Sequence, residues 1–213
     1  MPLHVLNKNL WFPPVDEALP DGLLAIGGDL SVERLLLAYK KGIFPWFDGD
    51  IPLWWSPHPR FVLFPDELKI SKSMKVLLKR NTFGFTTNKA FAQVIKACKQ
   101  TERNAQDGTW ITNEVQNAYN QLHKMGYAHS AEVWLDDKLA GGLYGVRMGN
   151  FFFGESMFSH ISNASKYAFI KYVELLKSEG LELIDCQVYT EHLESLGARM
   201  IDRNQFLNYL KHL

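Results

Sequence analysis

The chain has 213 residues, with 23 Lys and Arg against 23 Asp and Glu, so any contact with a nucleic acid must rest on a local patch rather than on overall attraction. A hydrophobic content of 46% with 22% charged residues gives enough apolar surface for a substantial core and excludes a disordered or low-complexity chain. No run approaches the ~18 apolar residues of a membrane span. The N-terminus, M-P-L-H-V-L-N-K-N-L-W-F-P-P, lacks the apolar stretch of a secretory signal, so a cytoplasmic location is expected. Cys98 and Cys186 lie far apart and form neither a metal pattern nor a disulfide framework; both are expected to be reduced, with no metal bound.

The first sixty residues hold most of the prolines and four of the six tryptophans, which predicts a loop-rich small domain over residues 1–59. Glycines in D-G-L-L-A-I-G-G-D-L, Asp21 to Leu30, stand where tight turns are wanted. Ser31 is placed to cap a helix running through Tyr39, with Leu35, Leu36 and Tyr39 as its buried stripe and Gly42 to end it. G-I-F-P-W-F and P-L-W-W-S-P-H-P-R follow, and a boundary is drawn near Pro59.

From Arg60 to the end, residues 60–213, the pattern is a regular mixture of strands and helices. Arg60 to Phe64 reads as a strand. Ser71 caps a helix to Arg80, Phe83 to Thr87 is a strand, and Asn88 caps a helix to about Lys99. Thr101 to Gly108 is a polar loop, and Thr112 or Asn113 opens a helix closed by Gly126. Three strands follow, Ser130 to Leu135, Leu139 to Met148 and Asn150 to Met157, with turns at Asp136-Asp137 and Gly149-Asn150. Ser162 opens a long helix to Glu179, with Ala168, Tyr172, Leu175 and Leu176 on its core side. Leu181 to Val188 is a further strand, and Asp202 with Gln205 makes a capping box for a last helix, Arg203 to His212. Together these elements predict an α+β domain, a mixed sheet with helices on its faces.

The chemistry is sought where polar groups interrupt apolar strands. In L-E-L-I-D-C-Q-V, alternation puts Leu181, Leu183, Asp185 and Gln187 on one face and Ile184 and Cys186 on the other. A buried carboxylate needs a partner, water or a task. Glu155, in F-F-F-G-E-S-M-F-S, is a second polar group among aromatics, and an apolar cleft with a few polar groups is the usual form of a small-ligand site. An Asp and a Gln bonded to a loop would give the same pattern. Cys186 points away from Asp185 with no histidine beside it in sequence, so it reads as a core thiol. His58 and His129 read as structural or surface residues. No G-x-S-x-G, H-E-x-x-H or phosphate-binding loop occurs. Lys72, Lys75 and Lys79 share one helix face, bordered by Arg60 and Arg80; such a stripe is either simply solvated or holds phosphates. Trp46, Trp54, Trp55 and Trp110 fill the core of the small domain, stack on an unpaired base or wall a pocket.

Ten motifs in order, F-P-P, G-L-L-A-I-G-G-D-L, G-I-F-P-W-F, L-W-W-S-P-H-P-R, T-W-I-T, G-G-L-Y-G-V, G-E-S-M-F-S, N-A-S-K, L-I-D-C-Q-V and S-L-G-A-R, resemble the leucyl/phenylalanyl-tRNA–protein transferase family from Phe12 to the last helix. The resemblance implies a bacterial cytoplasmic enzyme. It would move leucine or phenylalanine, and sometimes methionine, from Leu-tRNA or Phe-tRNA to proteins with an N-terminal Arg or Lys, marking them for N-degron degradation. It implies a small N-terminal domain and a larger GNAT-like (acyl-CoA N-acyltransferase-like) domain. A monomer with no cofactor is expected. The absence of a Gly-rich pyrophosphate loop suits an acyl donor carried by tRNA and argues against a CoA-dependent acetyltransferase. By the same resemblance Asp185 and Gln187 are the catalytic pair and Glu155 binds the donor's amino group. Trp46 and Trp110 take part in donor binding, and Leu143, Phe152, Leu176 and Ile184 line the side-chain pocket. Strand alternation sets Phe152 against Glu155, and Ile184 against Asp185, unless the strand bulges or the pocket wraps around the strand end. The basic residues Lys72, Lys75, Lys79, Arg60 and Arg80 would hold tRNA phosphates.

Overall fold

The computed structural model describes residues 3–47, 49–101 and 110–213. The small sheet is built from β1 (His4–Leu6), β2 (Leu23–Gly27), β3 (Phe44–Pro45) and β4 (Leu53–Trp55), in the order β1-β2-β4-β3. These strands are short and broken by proline and glycine, which is why the sequence reads as loops there. The helix α1 (Val32–Lys40) packs beside this sheet. Ser31 caps it by accepting from the Arg34 backbone N–H. Gly42 ends it at φ 70°, and a Cβ there would sit 2.8 Å from the Leu207 side chain, so both the backbone turn and the close approach of the last helix require glycine.

The large sheet begins at β5 (Arg60–Leu63) and continues with β6 (Gly84–Thr87), β7 (Ala128–Leu135), β8 (Lys138–Met148), β9 (Phe151–Ser159), β10 (Leu183–Gln187) and β11 (Arg199–Ile201). Its order is β11-β5-β10-β9-β8-β7-β6. The β7–β8 hairpin turns on Asp136 and Asp137, at φ 49° and 60°, the two left-handed residues that match the strand twist. All neighbours are antiparallel except β9 and β10. Those two run parallel because α5 (Ala164–Ser178) crosses between them.

The remaining helices are α2 (Lys72–Lys79), α3 (Phe91–Gln100), α4 (Asn113–Lys124), the short α6 (Glu191–Glu194) and α7 (Arg203–Leu210). Alternation along the strands feeds two cores. Phe151, Phe153 and Leu183 join α1, α3, α4, α7 and the small sheet on one face, while Phe152, Ile184 and Leu143 pack with α5 on the other. Full burial of each such side chain contributes about 1.5–3 kcal/mol, so a one-residue slip of β9 or β10 would exchange the two faces at prohibitive cost. No described helix is long and apolar enough to cross a membrane.

Most predicted elements occupy their expected places, with local departures: α6 and β11 carry no sequence expectation, and Asp202 caps α7 by accepting from the Asn204 and Gln205 N–H groups. Asn88 does not cap α3. It sits at φ 59°, its side-chain oxygen accepts from the Ser130 N–H, and the helix starts after Ala90. The buried Glu132 accepts from the Ala90 N–H instead. Ser162 does not open α5; the helix begins after Asn163, which takes the left-handed conformation at φ 67°. The strand expected over Leu181 to Val188 narrows to Leu183–Gln187, because Gly180 and Leu181 close the end of α5 through N–H bonds to the Lys177 and Leu176 carbonyls. The loop expected over Thr101 to Gly108 lies, beyond Thr101, outside the described residues.

Candidate active site

The site forms where β9 and β10 part. They pair only from Phe151–Phe153 against Leu183–Asp185. Past that point each strand carries a bulge. On β9, Ser156 pairs with Tyr144 and Gly154 with Gly145, which leaves Glu155 as the extra residue. A Cβ on Gly145 would lie 2.2 Å from the Phe153 carbonyl oxygen, so the close approach of the strands beside this bulge depends on glycine. On β10, Asp185 pairs with Val62 and Gln187 with Phe61, leaving Cys186 unpaired and Gln187 at φ 67°. The opened wedge holds a cavity of about 510 Å³. A space of that size suits a small organic ligand.

The cavity draws on both faces of the sheet because it sits at the strand ends. Leu143, Phe152, Met157, Phe169 and Ile184 line it from the α5 side, and Phe44, Pro45, Trp46 and Trp110 from the other. Trp46 is half-buried, and its carbonyl accepts from Trp55 Nε1 at 2.6 Å. Trp110 is 8% exposed. Phe152 and Glu155 do face opposite ways, as alternation requires. Phe152 meets the Tyr172 ring edge-on at 5.2 Å on the α5 face, and Glu155 turns toward α1 and α4. The bulge and the wedge let both reach one cavity. Leu176 does not line it. That residue is 1% exposed and packs between α5 and the sheet, a turn and more from Phe169, which takes the pocket-lining place on α5.

Glu155 has three donors. Its Oε1 accepts from the Tyr39 hydroxyl at 2.7 Å and from Gln187 Nε2 at 3.1 Å, and its Oε2 accepts from the Tyr119 hydroxyl at 2.8 Å. The two tyrosine oxygens are themselves 2.5 Å apart. This ring of three oxygen–oxygen contacts is fully satisfied only with three protons, one of them on Glu155; an ionised Glu155 leaves two hydroxyl protons for three contacts. Dense surrounding protein, although part of the side chain opens to the cavity, pushes the carboxyl up from 4.5 to about 7 against the lowering by Tyr39, Tyr119 and Gln187. Burial, with the Glu155 charge next, drives both tyrosines well above their ordinary acidity, so they remain hydroxyl donors.

Asp185 is fully buried and already engaged. Its Oδ1 accepts from Arg60 Nε at 2.8 Å and from the Gln187 backbone N–H at 2.9 Å, and its Oδ2 accepts from Arg60 Nη2 at 2.6 Å. Arg60, expected among the phosphate-binding residues, is 1% exposed and has no surface to offer a phosphate. Nothing in its sequence neighbourhood distinguished it from a surface arginine, since its partner lies 125 residues away. Tyr39 and Tyr119 were equally hidden. The helical stripe identified Tyr39 as buried but could not show where its hydroxyl points. Cys186 borders the cavity, and burial drives its thiol far above its ordinary acidity, which suppresses the thiolate a nucleophile needs. His58 accepts from the Arg203 N–H, and His129 bonds Asn88 and the Gly126 carbonyl, so both serve local structure. Lys72, Lys75 and Lys79 on α2, and Arg80 just after it, are exposed, and among the described residues none of the four forms an ion pair.

Two family models match the chain: leucyl/phenylalanyl-tRNA protein transferase over residues 62–211, and the N-terminal domain of the same family over residues 28–58. A leucyl/phenylalanyl-tRNA–protein transferase of Flavobacterium johnsoniae is 58% identical over 210 residues, covering 98% of this chain and 99% of the relative. One of Pseudomonas fluorescens is 57% identical over 211 residues, covering 97% and 93%. Among solved structures, L-PGS from Bacillus licheniformis superposes with a TM-score of 0.42 at 13% identity, over 81% of this chain and 57% of that one, a likeness too loose to carry an argument. Identity above half along almost the whole length leaves one conclusion: the chain belongs to the leucyl/phenylalanyl-tRNA protein transferase family, and is an aminoacyltransferase acting from tRNA to protein.

Proposed function

We propose that the wedge between β9 and β10 binds the leucyl or phenylalanyl end of a charged tRNA and transfers that residue to the α-amine of a cytoplasmic protein beginning with Arg or Lys, marking it for N-degron degradation. The observation that carries this reading is the cavity itself, apolar on the α5 side and polar at Glu155 and Gln187. A parallel pair of strands that splays apart around a bulge supports the GNAT-like reading of the large domain.

The reaction is aminolysis of an ester. Leu143, Phe152 and Ile184 offer an apolar socket for the donor side chain. Such sockets separate substrates differing by one methylene by only about 1–3 kcal/mol, which suits acceptance of leucine, phenylalanine and methionine alike. Glu155, once ionised, pairs with the donor's α-ammonium and keeps that amine from acting as a nucleophile. Trp46 and Trp110 stack on the terminal nucleoside. Lys72, Lys75, Lys79 and Arg80, on and just after α2, hold tRNA phosphates without reading bases.

The acceptor amine must be neutral to attack, and the proton it sheds as the amide bond forms passes to the ribose oxygen as the ester bond breaks, which balances the step. A neutral amide is a poor base, so Gln187 aims the amine by accepting a hydrogen bond through Oε1, its Nε2 being turned to Glu155. Asp185, buried with both oxygens engaged, fixes Gln187 rather than meeting the amine. Holding two reactants in line contributes on the order of 7 kcal/mol or more, and an activated ester needs little beyond that. The reading is tested by transfer of radiolabelled leucine from Leu-tRNA to a peptide beginning with arginine, beside one beginning with alanine. Label on the arginine peptide alone is the expected result; label on neither, with tRNA still bound, refutes it.

A further inference from the structure

We infer that Arg60 is a positioning residue for aminoacyl transfer, a single buried cation that holds the Asp185–Gln187 bulge and the Gly42–Trp46 segment as two walls of one cavity. The inference rests on the reading of that cavity as the transfer site. Arg60 opens β5, where the small sheet gives way to the large one, and its guanidinium lies between the Phe44 and Phe206 rings, 4.7 Å from each centroid. The fork is used on every side. Nε and Nη2 grip the two Asp185 oxygens, and Nη1 donates to the Gly42 carbonyl at 3.1 Å.

Each grip leads directly to the cavity. Asp185 Oδ1 also accepts from the Gln187 N–H, and Gln187 is a non-glycine residue at φ 67°, a conformation that its surroundings must hold. In that conformation its amide reaches Glu155. On the other side, Gly42 leads through β3 to Phe44, Pro45 and Trp46, all of which face the cavity. An apolar pair of similar volume would fill the same space, often with no loss of stability. It would supply neither an oxygen for the Gln187 N–H nor a donor for the Gly42 carbonyl. The pair is therefore explained by the geometry it imposes on Gln187.

Arg60→Lys tests this, since lysine keeps the charge but lacks the planar fork. In the full chain, we expect kcat for leucyl transfer to fall at least tenfold. The donor KM should rise too, but less than kcat falls and by no more than about threefold, because Trp46 and Ile184 stand on segments that Arg60 holds whereas Leu143 and Phe152 stand on strands that it does not touch. Backbone amide exchange at Gln187 should quicken at least tenfold while that of Val146, buried within β8, stays as it was. Phe206→Leu, which loosens the ring stack from outside the cavity and leaves the ion pair in place, should show the same changes in smaller size. Wild-type kcat in folded Arg60→Lys, or loss of kcat with unchanged Gln187 exchange, overturns the proposal. Should Arg60→Lys fail to fold, Phe206→Leu decides, and wild-type kcat and exchange in that variant overturn it. Transfer by the unmodified enzyme tests the reading of the site separately, since the exchange measurement needs no substrate.

Discussion

Glu155 should make the fold less stable as pH rises, and Glu155→Gln should remove that penalty. The carboxyl stands at about 7 in the folded chain against 4.5 for its ordinary value. Between those values the native state holds a proton that the unfolded chain has lost, so stability falls as pH increases through the interval and the full penalty is present above about 7. Each tenfold change in acidity corresponds to about 1.4 kcal/mol, so ionising Glu155 in place costs on the order of 3 kcal/mol. Glutamine has nearly the same shape and brings its own N–H protons, so it can supply the third proton that the ring with Tyr39 and Tyr119 requires.

The measurement is urea unfolding of both proteins at pH 5 and pH 8.5. Taking the difference between them at each pH cancels every other titrating group. We expect Glu155→Gln to gain about 3 kcal/mol on the wild type between pH 5 and pH 8.5. A difference that stays constant across that range would show that Glu155 ionises freely, and the proton-sharing account of the tyrosine ring would fall with it.

The same group should set the pH dependence of donor binding. Affinity for an amide-linked leucyl-adenosine should weaken roughly tenfold per pH unit well below 7 and level off above it, because the ammonium needs the ionised carboxylate and acid returns its proton; calorimetric titration from pH 5 to 8 checks this, and a flat profile removes Glu155 from ammonium binding. Tyr39→Phe and Tyr119→Phe each remove a donor to the charged form worth about 1.5 kcal/mol, so each should move the midpoint of that acid limb upward by about one pH unit in the same titration. Replacing Lys72, Lys75 and Lys79 together by Ala should flatten the salt dependence of tRNA binding by about two to three in log–log slope, read by filter binding from low to moderate salt; an unchanged slope returns these lysines to plain solvation.

What sequence pattern conveyed, and what it did not, follows from the range of the interactions. The helix caps at Ser31, Ser71, Thr112 and Asp202 were legible because a cap and the N–H it satisfies lie within three residues of one another. Alternation along β10 put Asp185 and Ile184 on opposite faces; Ile184 packs in the α5-side core, while Asp185 meets Arg60, whose guanidinium lies between Phe44 and Phe206 of the other core. The bulges at Glu155 and Cys186 were not legible, because a bulge is defined by the partner strand and by close approaches such as Gly145 on Phe153. Arg60 shows the same limit for chemistry. A basic residue near a lysine stripe carries no local mark of an aspartate 125 positions later, and only the fold turned it from a surface cation into the partner of Asp185.

Because the apolar socket of Leu143, Phe152 and Ile184 lies on the α5 face of the sheet and Glu155 turns to the other, donor selectivity and amine chemistry should be separable. Phe152 contacts the α5 side and Glu155 the α1 and α4 side, with no hydrogen bond between them and different parts of the donor to meet. Phe152→Ala should lower affinity for phenylalanyl and leucyl donors by about 2 kcal/mol or more, in proportion to the apolar contact removed. Combined with Glu155→Gln, the two losses should add to within about 0.5 kcal/mol, as independent sites do. Glu155→Gln with Gln187→Ala should behave differently. Those side chains bond each other directly at 3.1 Å, so the second change removes less once the first is present. A double-mutant cycle on donor binding compares the two pairs in one assay. Coupling between Phe152 and Glu155 as large as that between Glu155 and Gln187 would mean that the walls move as one body, and the division of labour between the faces would then be wrong.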